Sequence, residues 1–355
     1  MFSAVLVSGA AVGVACGART GLDAPGGGAG PLGCVPGTAE LERAVPALMF
    51  VVDASGSMDD ALEGAGVSRW DAMRSAFAAT LPPVDTSMEL GLMVYPSNGG
   101  EKNCAAGHPA ITPGLGHVGT ILDALDDRKP RGATPTAAAL DAAATALEAH
   151  RAAAGARTLV LATDGGPNCN TDLDPKTCEC VPAPVCKESV LCLDDARTVS
   201  TIEDLAKRGI PTYVIGIAAA DDTFIGVLDE MADAGGRARV GEDPRFYPVA
   251  SAADFDLALA TIRDQVGACT YLTRSIPDPG GTIVVRVDGA EVPFDPTGAD
   301  GWSWSDLSNG ELVFTGDACA SLTSGSHTVQ ALVTCGADAT TSADASSSSG
   351  SVAPP

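Results

Sequence analysis

Residues 47–57 read ALMFVVDASGS: six apolar residues in a row, then an acid and two serines at every second position. An unbroken apolar run of this length, rather than an alternating one, suits a strand covered on both faces, as in a parallel sheet. Four more runs of the same kind follow: MELGLMVY (88–95), RTLVLA (157–162), PTYVIGI (211–217) and a short RFYPV (245–249). Between them Trp70, Met73, Phe77 and Leu81 recur at spacings of three and four, as do Phe224, Leu228 and Met231, and Phe255, Leu259, Ile262 and Val266. Each set marks one buried helical face. The stretch 136–149, TAAALDAAATALEA, reads as an Ala-rich helix able to pack closely on a sheet. Strands alternating with helices give an α/β class: a doubly wound, mostly parallel sheet with helices on both faces. Folds of this kind place their sites at the carboxyl ends of the strands, which is where Asp53 stands.

The DASGS segment presents three short oxygen-bearing side chains, Asp53, Ser55 and Ser57, with Gly56 to let the backbone bend. Two other segments fall at strand or helix ends: RGATPT (131–136), which opens the Ala-rich helix, and LATDGGP (161–167), which carries Asp164. Hard oxygens with few net charges suit Mg²⁺, with Mn²⁺ or Ca²⁺ as alternatives. DxSxS, a threonine and TDG, in this order and at these separations, resemble the metal-ion-dependent adhesion site of the von Willebrand factor type A domain. The resemblance covers roughly residues 46–268. It implies metal ligation by Asp53, Ser55, Ser57, Thr134 and Asp164, with the two serines binding directly, the aspartates acting largely through water and Thr134 as the switch. The family often has two glycines before that threonine, whereas this chain has Gly132 and Ala133, which fits if φ of Ala133 is negative. Thr136 is the other nearby threonine; the family's ligand is the one after the small pair, hence Thr134.

The resemblance further implies a cation that keeps one position open for an Asp or Glu carboxylate of a protein partner. Repulsion between that acid and an acidic domain is limited by a screening length of about 8 Å. Phosphoryl transfer with Asp53 as nucleophile would need a second aspartate two residues on, where the chain has Ser55, so an enzyme is not expected. The alternative to adhesion is a structural envelope component whose metal only braces the loops.

Composition sets the context. Among 355 residues there are 21 Lys and Arg against 45 Asp and Glu, a formal net charge of −24. No basic footprint for a phosphate backbone exists, so nucleic acid is excluded as a partner. Residues 2–15, FSAVLVSGAAVGVA, form an apolar run of signal-peptide length that ends at Cys16. Residues 1–16 therefore resemble a bacterial lipoprotein signal with Cys16 as its lipidated cysteine, although no Lys or Arg precedes the run and Gly13 replaces the usual Leu, Val or Ile. A Gly/Pro-rich tether is expected over 17–45. Export to the cell envelope follows, lipid-anchored or secreted, with membrane contact through the anchor alone.

Eleven cysteines make an odd set, and a lipidated Cys16 leaves ten. Five of them, Cys169, Cys178, Cys180, Cys186 and Cys192, crowd a Pro-rich insertion over 165–195. Cys104 lies in a second insertion, after the strand ending at Tyr95. Three disulfides among these six are expected, Cys104 pairing with one of the five to form a collar beside the metal; a zinc site of Cys178, Cys180, Cys186 and Cys192 is the rival. Cys319 with Cys335 and Cys34 with Cys269 are the remaining candidate pairs. Beyond Cys269, alternating runs broken by DG, NG and SG pairs predict a small β domain over 269–336, followed by a disordered tail over 337–355. Trp302 and Trp304 alternate with serines, so both would share one face, expected to pack on the α/β domain, with sugar stacking as the alternative. The four histidines, His108, His117, His150 and His327, are dispersed and read as surface or structural.

Overall fold

Side chains of a strand alternate between the two sides of a sheet, and the run 47–53 uses both sides. Leu48, Phe50 and Val52 join one buried apolar cluster, while Ala47, Met49 and Val51 join another. The computed structural model describes residues 33–62, 66–97, 104–150, 157–181, 186–218, 222–239, 241–307, 310–323 and 325–336. The α/β portion runs β3 (Ala47–Asp53), α1 (Arg69–Thr80), β4 (Glu89–Tyr95), α2 (Val118–Asp126), α3 (Thr136–Ala149) and β5 (Arg157–Thr163). It continues through α4 (Asp195–Lys207), β6 (Thr212–Ile217), α5 (Asp222–Ala234), β7 (Tyr247–Val249) and α6 (Ala252–Cys269). Two short strands precede it, β1 (Gly37–Glu40) and β2 (Glu42–Arg43).

The five strands pair in the order β4-β3-β5-β6-β7, every pair parallel. From β3 the chain moves outward to β4, then crosses back to β5 on the other side of β3. The order therefore reverses between β3 and β5, and their carboxyl ends open a crevice there. Helices α1, α2 and α6 cover one face through Trp70, Met73, Phe77, Ile121, Leu125, Phe255, Leu259 and Ile262. Helices α3, α4 and α5 cover the other through Ala139, Ala143, Leu147, Ile202, Leu205 and Met231. Three alanines of α3, Ala139, Ala143 and Ala144, are fully buried; their small side chains let that helix lie close to the sheet with few aromatic residues. Helices α2 and α4 are additions to the sequence reading.

The remaining strands form two antiparallel four-stranded sheets. β8 (Thr270–Leu272), β11 (Gly301–Asp306) and β12 (Glu311–Thr315) make one with β2, in the order β11-β12-β8-β2. β9 (Thr282–Val287), β10 (Ala290–Val292) and β13 (Val329–Thr334) make the other with β1, in the order β1-β13-β9-β10. The tether expected over 17–45 is thus corrected: its last third supplies strands to both sheets, so the small β domain is built from two separated pieces of chain. A second correction concerns 316–322, which falls within the alternating runs expected over 269–336 but folds as helix α7 (Gly316–Leu322). Trp302 and Trp304 contact each other edge to face at 5.4 Å, and Trp302 is buried in the β domain's own core beside Phe314 and Val285, not on the α/β domain.

Among the described residues five disulfides are formed: Cys34–Cys335, Cys104–Cys169, Cys178–Cys192, Cys180–Cys186 and Cys269–Cys319. The expected pairs Cys319–Cys335 and Cys34–Cys269 are contradicted, and strand register gives the reason. β1 and β13 pair with Gly37 opposite Val333, so continuing the ladder outward brings Cys34 alongside Cys335. Cys319 is instead on α7, whose buried side meets the carboxyl end of α6 at Cys269. That bond ties the α/β portion to the β domain. Residues 1–32 and 337–355 lie outside the described residues, and with them the signal segment, Cys16, most of the tether and the tail. Among the described residues no helix is long and apolar enough to cross a membrane.

Non-reducing peptide mapping is expected to recover these five pairs. The double variant Cys269→Ser/Cys319→Ser should lose about 2–4 kcal/mol of unfolding free energy in urea titrations, the usual worth of such a cross-link.

Candidate metal centre

Asp53 ends β3 opposite Tyr95 of β4, at the crevice where the strand order reverses, and it is fully buried. Val52 pairs with Ala162, which puts Asp53 level with Thr163 on β5. The Thr163 hydroxyl accordingly donates to Asp53 Oδ2 at 2.7 Å, and the Ser55 backbone N–H donates to Oδ1 at 2.8 Å. Both carboxyl oxygens are held, so the side chain cannot rotate freely. Burial, and next the charge of Asp164, push the Asp53 carboxyl up to about 7.

Beyond Ser55 the chain makes a single 3-10 turn over Gly56–Asp59. Within it the Ser57 hydroxyl stands 3.1 Å from that of Ser55 and donates to Asp164 Oδ1 at 2.8 Å. The bend does not require a glycine at 56: its φ is not positive, and an added Cβ would meet only the Gly132 carbonyl oxygen at 3.9 Å. Asp164, one residue past β5, is buried too, and burial raises its carboxyl. The opposing influence is Arg69, whose Nη1 donates to Asp164 Oδ2 at 2.6 Å and to the Ser57 carbonyl at 3.3 Å.

The threonine loop docks against this group through its backbone. Gly56 N–H donates to the Gly132 carbonyl at 3.1 Å, and Arg131 N–H to the Ala54 carbonyl at 2.7 Å. Gly132 has φ +102°, a conformation that only glycine adopts readily, while Ala133 stays out of the positive-φ region. Thr134 N–H donates to Asn168 Oδ1 at 2.7 Å, and Asn168 N–H returns a bond to the Thr134 carbonyl at 2.9 Å. The Thr134 hydroxyl has no hydrogen-bond partner among the described residues. Thr136, the other candidate, turns its hydroxyl to buried Tyr95 at 3.4 Å.

Asp53, Ser55, Ser57 and Asp164 thus lie in one hydrogen-bonded network, and Thr134 borders it through the docked loop. Three further members, Thr163, Asn168 and Arg69, are not among the residues singled out from the sequence. Thr163 could have been found, because it precedes Asp164 at the end of a strand neighbouring β3. Asn168 and Arg69 act over separations of 34 and 95 residues, for which the sequence carries no local signal.

The donor chemistry fits a hard divalent cation: two carboxylates and three hydroxyls, all oxygen. The guanidinium of Arg69 resting on Asp164 shows independently that the pair of buried acids calls for positive charge. The collar lies alongside: Cys104–Cys169 joins the loop after β4 to the loop after Asp164. Asn170 Nδ2 donates to Asp194 at 2.7 Å, tying the same segment to the residue before α4. The sulfurs of Cys178, Cys180, Cys186 and Cys192 are all committed to disulfides, which leaves no thiolates for zinc.

Residues 48–167 match the sequence model of the von Willebrand factor type A domain, and the α/β portion has that type of fold, followed by the small β domain. Among solved structures, the chain is similar to the PilB minor pilin from Streptococcus sanguinis at 17% identity, over 64% of this chain and 62% of that one, with a TM-score of 0.46. It is also similar to the manganese-loaded TRAP protein of Plasmodium vivax at 18% identity, over 64% of this chain and 76% of that one, TM-score 0.42. A third is the vWF domain of the type V pili tip protein Mfa5 from Porphyromonas gingivalis, at 12% identity, over 63% of this chain and 97% of that one, TM-score 0.41. The matched region thus spans less than two thirds of the pilin's length. No curated protein matches the chain.

Asn168→Ala removes the acceptor of a buried backbone N–H and frees the threonine loop. Chemical denaturation should show a loss of about 1–3 kcal/mol, the cost of one unsatisfied buried donor, with the five disulfides unchanged.

Proposed function

We propose that this is an exported cell-envelope protein, lipid-anchored through Cys16, that captures a protein ligand by a carboxylate at a Mg²⁺-dependent adhesion site. The single observation that supports the reading most is the Ser55–Ser57–Asp164 cluster beside Asp53, assembled from two strand ends at the switch point of the sheet. Ser55, Ser57 and Thr134 would hold the ion through hydroxyls, and Asp53 and Asp164 largely through water. A bound Mg²⁺, or Mn²⁺ or Ca²⁺ in its place, would supply an electrophilic point for a partner's Asp or Glu. Few carboxylates near the ion leave it unsatisfied, which favours an outside one.

Local charge supports an acidic partner. Lys129 and Arg131, both exposed, stand two residues before and at the start of the segment docked on Ala54 and Gly56, and neither has an ion-pair partner among the described residues. They offer positive charge at the rim of a chain whose formal net charge is −24. Binding rather than catalysis is the reading because Ser55 stands where an aspartate-nucleophile mechanism needs its acid/base.

Millimolar MgCl₂ or MnCl₂ should raise the thermal midpoint of the wild-type protein, by the equivalent of about 2.7 kcal/mol at a hundredfold excess over Kd, and Asp53→Ala should abolish that rise. Protein captured from envelope extract in MgCl₂ should be released by EDTA, and Thr134→Ala should weaken capture. Capture that ignores both EDTA and Thr134→Ala would leave the metal a loop brace and the protein a structural component.

A further inference from the structure

Arg69 sits where a cation is least expected. It is the first residue of α1, after the capping Ser68, whose side chain accepts from Asp71 N–H. Helix amino termini carry partial positive charge and favour acids, and the first turn has one in Asp71. The side chain of Arg69 is nonetheless drawn inward and is 20% exposed, against 1% for the Asp164 side chain it contacts.

The contact is a one-armed one. Guanidinium and carboxylate pair best through two parallel hydrogen bonds. Here Nη1 alone reaches Asp164, donating to Oδ2 while Oδ1 accepts from the Ser57 hydroxyl, and the same nitrogen makes a longer bond to the Ser57 carbonyl. Among the described residues Arg69 Nε is buried without an acceptor. An arginine held through one nitrogen, with another donor left unsatisfied, gives up less on letting go than a fully paired one. The carboxylate it neutralises is the same one placed among the oxygens that would hold a divalent ion.

We propose that Arg69 is a tethered cation of this site: it takes the place of the divalent ion at Asp164 when none is bound, and so sets how tightly the site takes one. The proposal rests on the cation-site reading above. Two buried acids face each other at the strand ends, and among the described residues Arg69 is the basic side chain bonded to either of them. A divalent ion entering between them meets that guanidinium as a like charge within a partly buried site, where charges are poorly screened. Either Arg69 withdraws from Asp164 or it stays and repels; both outcomes weaken metal binding. Neutralising it should tighten metal binding and loosen the metal-free protein.

The test uses the full chain at neutral pH, with Mn²⁺ as the probe, read by electron paramagnetic resonance of free Mn²⁺ and by thermal midpoints in EDTA. Arg69→Gln is expected to lower the Kd for Mn²⁺ at least about tenfold, near the low, well-screened end of what one unit charge a few ångströms away exerts, and to lower the midpoint in EDTA by several degrees. Arg69→Lys, which keeps the charge, should stay closer to wild type on both. A Kd for Arg69→Gln equal to or weaker than wild type overturns the proposal while leaving cation binding intact. Binding of Mn²⁺ by Arg69→Gln alone supports it and defeats cation-dependent adhesion by the wild type; binding by neither defeats both. Should Arg69→Gln not fold in EDTA, recovery on adding Mn²⁺ supports the proposal, and failure to recover, repeated with Arg69→Met, contradicts it.

Discussion

Two carboxylates buried at neighbouring strand ends repel each other, and most of the local structure is arranged around that fact. Asp53 and Asp164 sit at the switch point because β3 and β5 are adjacent and the chain diverges from them in opposite directions. Neither acid can be satisfied by water alone, since both are buried. The chain meets the demand in two ways: hydroxyl and backbone N–H donors on the carboxyl oxygens, and a guanidinium on Asp164. Donors relieve only part of the cost of burying charge. What the donors leave is a local shortage of positive charge, which is the physical basis of a cation site.

Around this centre the support is stiff. The loop bearing Thr134 is fixed by reciprocal bonds with Asn168, and Asn168 lies beside Cys169, which is bonded to Cys104. The loops after β4 and β5 and the one before α3 are therefore connected by covalent or paired hydrogen bonds, so movement in one is felt in the others. Elsewhere the Cys269–Cys319 bond ties α6 to the β domain, whose two sheets take in β1 and β2 from the chain ahead of β3. A surface built this way can present an ion and its rim in a constant relation, which suits recognition of a partner.

Much of this was legible in the sequence, for reasons that can be assigned residue by residue. The parallel sheet showed itself because strands buried on both faces must be apolar throughout, as ALMFVV is. The candidate site residues could be singled out because a strand end, a helix start and a second strand end each carry an oxygen-bearing side chain within a few positions. Strands β1 and β2 were hidden: GTAE and ER are short, polar and exposed edge pieces with no apolar pattern. Helix α4 has Ile202 and Leu205 as its only large buried apolar residues and follows a Cys-rich segment directly, so its periodicity was easily missed. Cysteine pairing depends on register between β1 and β13, a long-range fact, and Arg69 depends on a contact spanning 95 residues. Local pattern carries neither.

The central claim is that Asp53, Ser55, Ser57, Thr134 and Asp164 form one cation site at the end of the sheet. Its most direct test is anomalous diffraction from crystals of this protein grown or soaked in MnCl₂. The expected result is one strong manganese peak within direct-coordination distance of the Ser55 and Ser57 hydroxyls, absent from Asp53→Ala crystals treated the same way. A map with no peak between β3 and β5, at a concentration that saturates other divalent sites on the molecule, would contradict the claim.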